Sequence, residues 1–152
     1  MRRLVYVSHA IEEFSLDQLL SLLARSRTAN ESRGVTGALF YLDGVFLQYL
    51  EGEPAAVDAT MARVMADARH RGLVVLSDNV VPLEPLLPEW KMGFYHLSSI
   101  EPLVSQVSPG LIENSDRDLS DRLMADAASD TAGRLLASFW RANRSRFLLR
   151  GR

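Results

Sequence analysis

Gln48 stands in the middle of an apolar stretch, with Phe46 and Leu50 as its same-face neighbours, so its amide is predicted to be buried and must find hydrogen-bond partners. A leucine there would serve a plain core better. Tyr6 lies in a second apolar run, where its hydroxyl is able to reach a glutamine amide across adjacent strands. The pair offers hydrogen bonding between a phenol and a carboxamide away from water. Asn30 adds another carboxamide, with acceptor and donor side by side. Trp90 and Met92 alternate on one short segment, and Asp67, Arg69 and His70 form a compact charged group. Each also has an ordinary structural explanation. Backbone or water satisfies a buried glutamine, asparagine is favoured where helices end, Trp90 and Met92 suit edge packing, and basic residues complement a helix C-terminus.

These residues need strands and helices to bring them together. Alternation over residues 3–8 puts Leu4, Tyr6 and Ser8 on one strand face and Val5 and Val7 on the other. Ser15-Leu16-Asp17-Gln18 has the form of a capping box, which predicts a helix with Leu16, Leu19, Leu20, Leu23, Ser26, Arg27 and Asn30 along one stripe. Strands over 35–41 and 45–51 are joined by Leu42-Asp43-Gly44, whose Asp-Gly pair tolerates the positive backbone angles of a tight hairpin. Pro54 suits the first position of a second helix that turns Val57, Met61, Val64 and Met65 inward. Arg71-Gly72 is expected to stop it, so that Asp67, Arg69 and His70 close the helix.

Residues 73–81 read as a fourth strand and 90–96, after a Pro-rich bend, as a peripheral fifth. From Asp116 to Leu149 the pattern is that of one or two amphipathic helices, with Leu119, Leu123, Leu135, Leu136, Phe139, Trp140 and Phe147 as apolar stripes. The order strand, helix, hairpin, helix, strand predicts an α+β, ferredoxin-like βαββαβ sheet with an added fifth strand. Both helices are expected on one face, with C-terminal helices covering the other. The expected division is a domain over 1–97 and a helical extension over 98–152. The first and third strands are expected as parallel neighbours at the sheet centre, which brings Tyr6 and Gln48 together.

Composition narrows the chemistry further. The 47% hydrophobic and 24% charged content is that of an ordinary globular chain. No cysteine occurs, which removes disulfides, thiolate metal sites and cysteine nucleophiles, and no metal site is expected. The short apolar run from Leu4 to Val7 is too brief for a signal peptide core or a membrane span, so a cytoplasmic location without membrane association is expected. A formal charge of −2 gives no general attraction to nucleic acid. Residues 134–152 carry six arginines and no acid, which reads as the solvated face of a final amphipathic helix or as a partner site.

An acceptor beside a donor, as on Asn30, matches the alternating N–H and C=O groups along the imide edge of a flavin. Several further segments occur in order: Leu4-Val5-Tyr6-Val7-Ser8, Ser26-Arg27 with Asn30, Gly34-Val35-Thr36-Gly37-Ala38-Leu39-Phe40-Tyr41, Phe46-Leu47-Gln48-Tyr49-Leu50-Glu51-Gly52, Asp67-Ala68-Arg69-His70 and Trp90-Lys91-Met92-Gly93-Phe94. Over residues 2–96 the set resembles the BLUF family, sensors of blue light using FAD. Ordered agreement of many separated segments is far more specific than one short pattern.

The resemblance implies a noncovalently bound flavin, FAD with FMN or riboflavin as substitutes, held by Tyr6, Ser26, Arg27, Asn30, Gln48, Asp67, Arg69 and His70. It implies that Tyr6 donates an electron and a proton under light, that Gln48 bridges tyrosine and flavin and then changes its bonding, and that Trp90 and Met92 carry the output. The carboxamide's change is either rotation or tautomerisation. Two positions depart from the family pattern: Ala29, where a polar residue is frequent, and Leu83-Glu84-Pro85, where a basic residue is frequent.

The implied activity is light sensing without enzymatic turnover, passed to an unidentified signalling protein or through a homodimer or higher homo-oligomer. The sequence has no nicotinamide fingerprint or Gly-rich nucleotide turn to favour a redox enzyme. The remaining alternative is a nonphotoactive ferredoxin-like module that acts by protein contacts.

Overall fold

The computed structural model describes residues 1–82, 84–88, 91–97 and 130–148, and gives the backbone alone for 93–97, 140 and 143–148. The elements are β1 (Arg2–Ala10), α1 (Leu16–Arg33), β2 (Thr36–Leu42), β3 (Val45–Gly52), α2 (Pro54–Ala66), β4 (His70–Val80), β5 (Gly93–Leu97) and α3 (Thr131–Leu148). The strands form one sheet in the order β4-β1-β3-β2-β5. The α+β, ferredoxin-like order predicted for the first four strands is the one observed.

One expectation is corrected: β1 and β3 are neighbours, but they run antiparallel, with Tyr6 opposite Gln48 and Arg3 opposite Glu51. The reason is topological. The α1 crossover returns β2 in the direction of β1, and the hairpin then reverses β3. Among the described strands, parallel pairing is confined to β2 with β5, where Ala38 faces Gly93 and Leu42 faces Leu97.

Local sequence explains most of the element ends. Ser15 caps α1, accepting from the Gln18 backbone N–H while the Gln18 side chain accepts from the Ser15 backbone. Gly34 ends the helix in the left-handed region at φ 66°, donating to Asn30 and Glu31 carbonyls. Asp43 and Gly44 both take positive φ in the β2–β3 turn, as a two-residue hairpin with the sheet's twist requires.

The predicted end of α2 is wrong. The helix stops at Ala66, Asp67 adopts extended geometry, and His70 opens β4. Gly72 lies inside that strand at φ +62°, where the β1–β4 register shifts between Val7 and His9. It marks a bulge, whose positive φ only glycine adopts without strain. Met65, predicted to point inward, is 70% exposed.

Two apolar layers sandwich the sheet. On the upper face, Leu4, Leu39 and Leu50 pack with Leu19 and Leu23 of α1 and Val57 and Met61 of α2. On the lower face, Val5, Ala38 and Phe40 pack with Leu86, Leu87 and, from α3, Ala132 and Leu136. Phe139 meets the Phe40 ring edge-on at 5.1 Å. The predicted stripe residues Leu119 and Leu123 lie outside the described residues, as do Trp90 and the side chains of Trp140 and Phe147.

The lower layer also encloses charge. Arg3 and Glu51 are each 1% exposed, and Arg3 donates to Asp130 at 3.1 Å and to the Glu84 carbonyl at 2.7 Å. Glu51 accepts from Tyr49 Oη at 2.7 Å and from the backbone N–H groups of Leu86 and Leu87 at 2.8 and 2.6 Å. Asp130 in turn accepts from Gly133 N–H at 2.9 Å, capping α3. One buried network thereby ties β1, β3, the bend after β4 and the start of α3. Its signal in the sequence was a charge at a core-facing strand position, present twice, at Arg3 and Glu51.

Candidate functional site

Between α1 and α2, above the centre of the sheet, lies an open cavity of about 230 Å³. Its α1 wall is Leu22, Arg25, Ser26, Ala29 and Asn30, and its α2 wall is Thr60, Arg63 and Val64 followed by Asp67. Both sets have the i, i+3, i+4, i+7 spacing of one helical face. The strands provide the floor with Tyr6, Ser8, Leu39, Phe46 and Gln48, while Phe14, Arg69 and His70 close one end. Phe14 is fixed there by its backbone N–H bond to Tyr41 Oη, an edge-on contact with Phe46 and the Arg69 guanidinium over its ring.

At the floor, the Tyr6 hydroxyl donates to Gln48 Oε1. The Gln48 amide nitrogen points the other way, donating to Met92 Sδ at 3.5 Å. Gln48 is 6% exposed and Tyr6 is buried with it. Burial, with the Asp67 carboxylate nearby, pushes the Tyr6 hydroxyl well above the usual tyrosine range, so it stays protonated. A thioether is a weak acceptor, and the amide is therefore held firmly at its oxygen and loosely at its nitrogen.

Asn30 is buried inside α1, three residues before the helix ends, so helix termination does not explain it. Its Nδ2 donates to the Lys91 carbonyl at 2.9 Å. Arg27, expected among the flavin-holding residues, does not line the cavity; its Nε donates to the Met92 carbonyl at 3.0 Å. The physical cause is its position on α1, one step round the helix from Ser26, facing the β5 approach. Together Asn30 and Arg27 pin residues 91 and 92 to α1. Met92 precedes β5 instead of alternating with Trp90 on it, and it packs beside Gln48 outside the cavity.

Ser26, Asn30, Asp67, Arg69 and His70 all reach the cavity, as do Tyr6 and Gln48. Arg69 grips Asp67 through Nε at 2.9 Å and Nη2 at 2.6 Å. That hydrogen-bonded pair holds the Asp67 carboxyl down at about 2. His70 Nε2 meets the Val64 carbonyl at 2.6 Å, so in the neutral ring this nitrogen carries the proton. Its Nδ1 is buried with no hydrogen-bond partner among the described residues, an acceptor waiting for a ligand hydroxyl or N–H.

The sequence reading missed Arg25, Arg63, Thr60 and Phe14. The first three were discoverable by extending the Ser26–Asn30 and Asp67 stripes back along their helices. Phe14 sits in a loop with no periodicity to follow.

The donor set suits a flat heteroaromatic ring with an imide edge. A neutral amide and a phenol lie at its floor and a second amide in its α1 wall, apolar Leu22, Leu39 and Phe46 suit its faces, and an orphaned acceptor stands at His70. Ala29 contributes only a methyl group at the wall.

Known proteins agree with this geometry. The chain is 36% identical over 73 residues to the photoactivated adenylate cyclase subunit alpha of Euglena gracilis, a stretch covering 48% of this chain and 7% of that protein. A solved bacterial light-regulated adenylyl cyclase superposes with a TM-score of 0.63 at 27% identity, covering 90% of this chain and 40% of that one. BlrB, a BLUF protein solved in its dark state, shares the fold with a TM-score of 0.61 at 20% identity, covering 91% of this chain and 96% of its own. The chain thus spans only a small part of the cyclases it matches. The family model for sensors of blue light using FAD matches residues 1–93, and the chain belongs to that BLUF family of flavin-based blue-light sensors.

Proposed function

We propose that the light response of this flavin photosensor is a hydrogen-bond switch at Gln48, with FAD as its chromophore. The observation that carries the proposal is the polarity of the Gln48 amide, whose oxygen accepts from Tyr6 while its nitrogen is held only by a sulfur. Bound flavin supplies a ring that becomes a strong oxidant on absorbing blue light. Asn30 would hold its imide edge, Ser26, Arg69, Asp67 and His70 would line its surroundings, and Tyr6 and Gln48 would meet it at the floor. Tyr6 gives up an electron and its hydroxyl proton and takes both back, so the cycle leaves no net oxidation. Gln48 exchanges its donor and acceptor ends in between, by rotation or tautomerisation. Its weak tie to Met92 Sδ keeps the cost of that exchange low.

The route outward starts at Met92. Residues 91 and 92 are tied to α1, and Leu86 and Leu87 are tied to Glu51 beneath the sheet, where the lower-face network reaches α3. A changed Gln48–Met92 contact is thereby passed along one segment from the upper face to the lower. We infer that residues 1–97 are the flavin-binding unit and that the helical part of 98–152 presents the output, in the cytoplasm, to a signalling partner or a second copy. The described residues are assigned no turnover of their own. Among them, no helix is long and apolar enough to cross a membrane.

The deciding experiment is the visible absorption spectrum before, during and after blue illumination. A flavin band that shifts reversibly to longer wavelength without bleaching is expected. Lasting bleaching means reduction chemistry and defeats the switch, and bound flavin without any shift favours the nonphotoactive module. Gln48→Leu is expected to bind flavin and lose the shift; a full shift in that variant removes Gln48 from the mechanism.

A further inference from the structure

The walls of the cavity carry a charge that the ring-binding residues do not use. Three guanidiniums, Arg25, Arg63 and Arg69, line it against one carboxylate, Asp67, an excess of two positive charges in a chain whose formal charge is −2. Asp67 is already taken by Arg69. Arg25 and Arg63 have no ion pair or hydrogen bond among the described residues, although acids are plentiful elsewhere on the surface. Arg63 also stands in the last turn of α2, where a cation complements the helix dipole, but Arg25 lies mid-helix in α1 and has no such reason to be there. Both are exposed and lie one turn from other wall residues: Arg25 precedes Ala29, and Arg63 precedes Asp67.

A cavity of about 230 Å³ is smaller than the roughly 300–1,000 Å³ usual for a drug-sized ligand. On the flavin reading a ring would fill it, and the remainder of the cofactor would extend outward, where the exposed wall residues Arg25 and Arg63 are available to meet it. Guanidinium is the side chain whose planar fork of donors matches a phosphate. We propose that Arg25 and Arg63, one from each helix, form a clamp for the phosphate ester on the flavin tail, and so make the site selective for FAD and FMN over riboflavin. The proposal rests on the flavin reading of the cavity and adds to it a specificity element on residues outside the photochemical floor.

The test is binding of riboflavin, FMN and FAD to the flavin-free full chain, followed by flavin fluorescence quenching at low and high salt. The expected result is that FMN and FAD bind roughly tenfold tighter than riboflavin, the sum of two exposed charge contacts, and that added salt narrows the gap. In Arg25→Gln/Arg63→Gln the gap closes to within about twofold because the phosphorylated flavins weaken, as the loss of two exposed contacts of this size requires. Arg71→Gln, an exposed charge outside the cavity, controls for the general field and should preserve the gap. Equal affinities of the wild-type chain for all three flavins overturn the clamp and leave the flavin reading intact. Failure of every flavin to bind overturns the reading itself. Comparing FMN with FAD separates the sources: equal binding assigns the clamp to the first phosphate, and tighter FAD binding assigns part of it to the second. A gap that persists in the double variant, with circular dichroism unchanged, also sinks the proposal.

Discussion

The two faces of one strand pair, β1 with β3, carry opposite solutions to the burial of polar groups. Above the sheet, Tyr6 donates to a neutral amide whose other end has a weak partner, beside an open cavity. Below it, Tyr49 donates to the Glu51 carboxylate, which two backbone N–H groups also hold, with Arg3 and Asp130 beside it. Burial raises both tyrosines' pKa values, and at Tyr49 the adjacent Glu51 charge adds to the effect. The strand's period of two sends alternate residues to opposite faces, so Gln48 and Tyr49 have different surroundings although they are neighbours. A buried charge cluster with many partners is costly to rearrange, whereas a neutral carboxamide exchanges its two ends at small cost. On the proposed switch the upper face is the one that changes and the lower face the one that stays.

The comparison is broken most directly at Tyr6 and Gln48, the proposed photochemical pair. Tyr6→Phe is expected to abolish the spectral shift entirely while flavin remains bound, and Tyr49→Phe to keep it; transient absorption on both variants decides. A retained shift in Tyr6→Phe removes the functional contrast between the faces.

Stability should show the reverse ranking. Arg3→Met leaves Glu51 and Asp130 as buried carboxylates without their cation, at a cost of about 3–5 kcal/mol in urea unfolding. Tyr6→Phe removes one hydrogen bond and is expected to cost only about 0.5–1.5 kcal/mol. If the two losses are equal, the lower network is not the stiffer element.

Alkaline pH sharpens the contrast with exposed phenols. Because the Tyr6 hydroxyl is raised above the ordinary tyrosine value, the photoshift should be unchanged through pH 10, where a free tyrosine ionises. A midpoint near 10 in shift against pH contradicts the burial assigned to Tyr6.

The smallest effect is expected in acid. Asp67 in the folded chain is depressed to about 2, so the stability it contributes is full above its unfolded value, about 3.9, and is lost as pH falls through about 2. The pair with Arg69 is partly exposed, and its contribution is accordingly modest. Asp67→Asn should flatten that part of the stability profile, read by thermal unfolding across the same pH range. An unchanged acid limb assigns the loss to other carboxylates.

Much of this was legible from short-range pattern. The capping box at Ser15–Gln18, the Asp43–Gly44 hairpin, Pro54 at the start of α2 and the alternation around Tyr6 and Gln48 each involve residues only a few positions apart, where backbone preference and side-chain period act directly. The helical walls of the cavity were legible for the same reason, since their residues recur at helical spacing. What sequence reading mistook were positions whose role depends on distant partners. Asn30, whose ordinary explanation was helix termination, lies inside α1 and donates to the Lys91 carbonyl 61 residues away. Gly72 resembled a helix stop but serves a bulge opposite β1, and Arg27 donates to the Met92 carbonyl, 65 residues away, without lining the cavity.

By itself, then, the sequence determined the kinds of element, their order and the identity of the tyrosine and glutamine able to share a hydrogen bond. Tertiary structure alone decided that β1 and β3 run antiparallel, that the Gln48 nitrogen meets Met92, and that Arg3 closes on Asp130 across 127 residues. The physical reason is range: propensity and periodicity act within a turn or a strand, while buried polar partners are chosen by which surfaces the packed sheet and helices bring face to face.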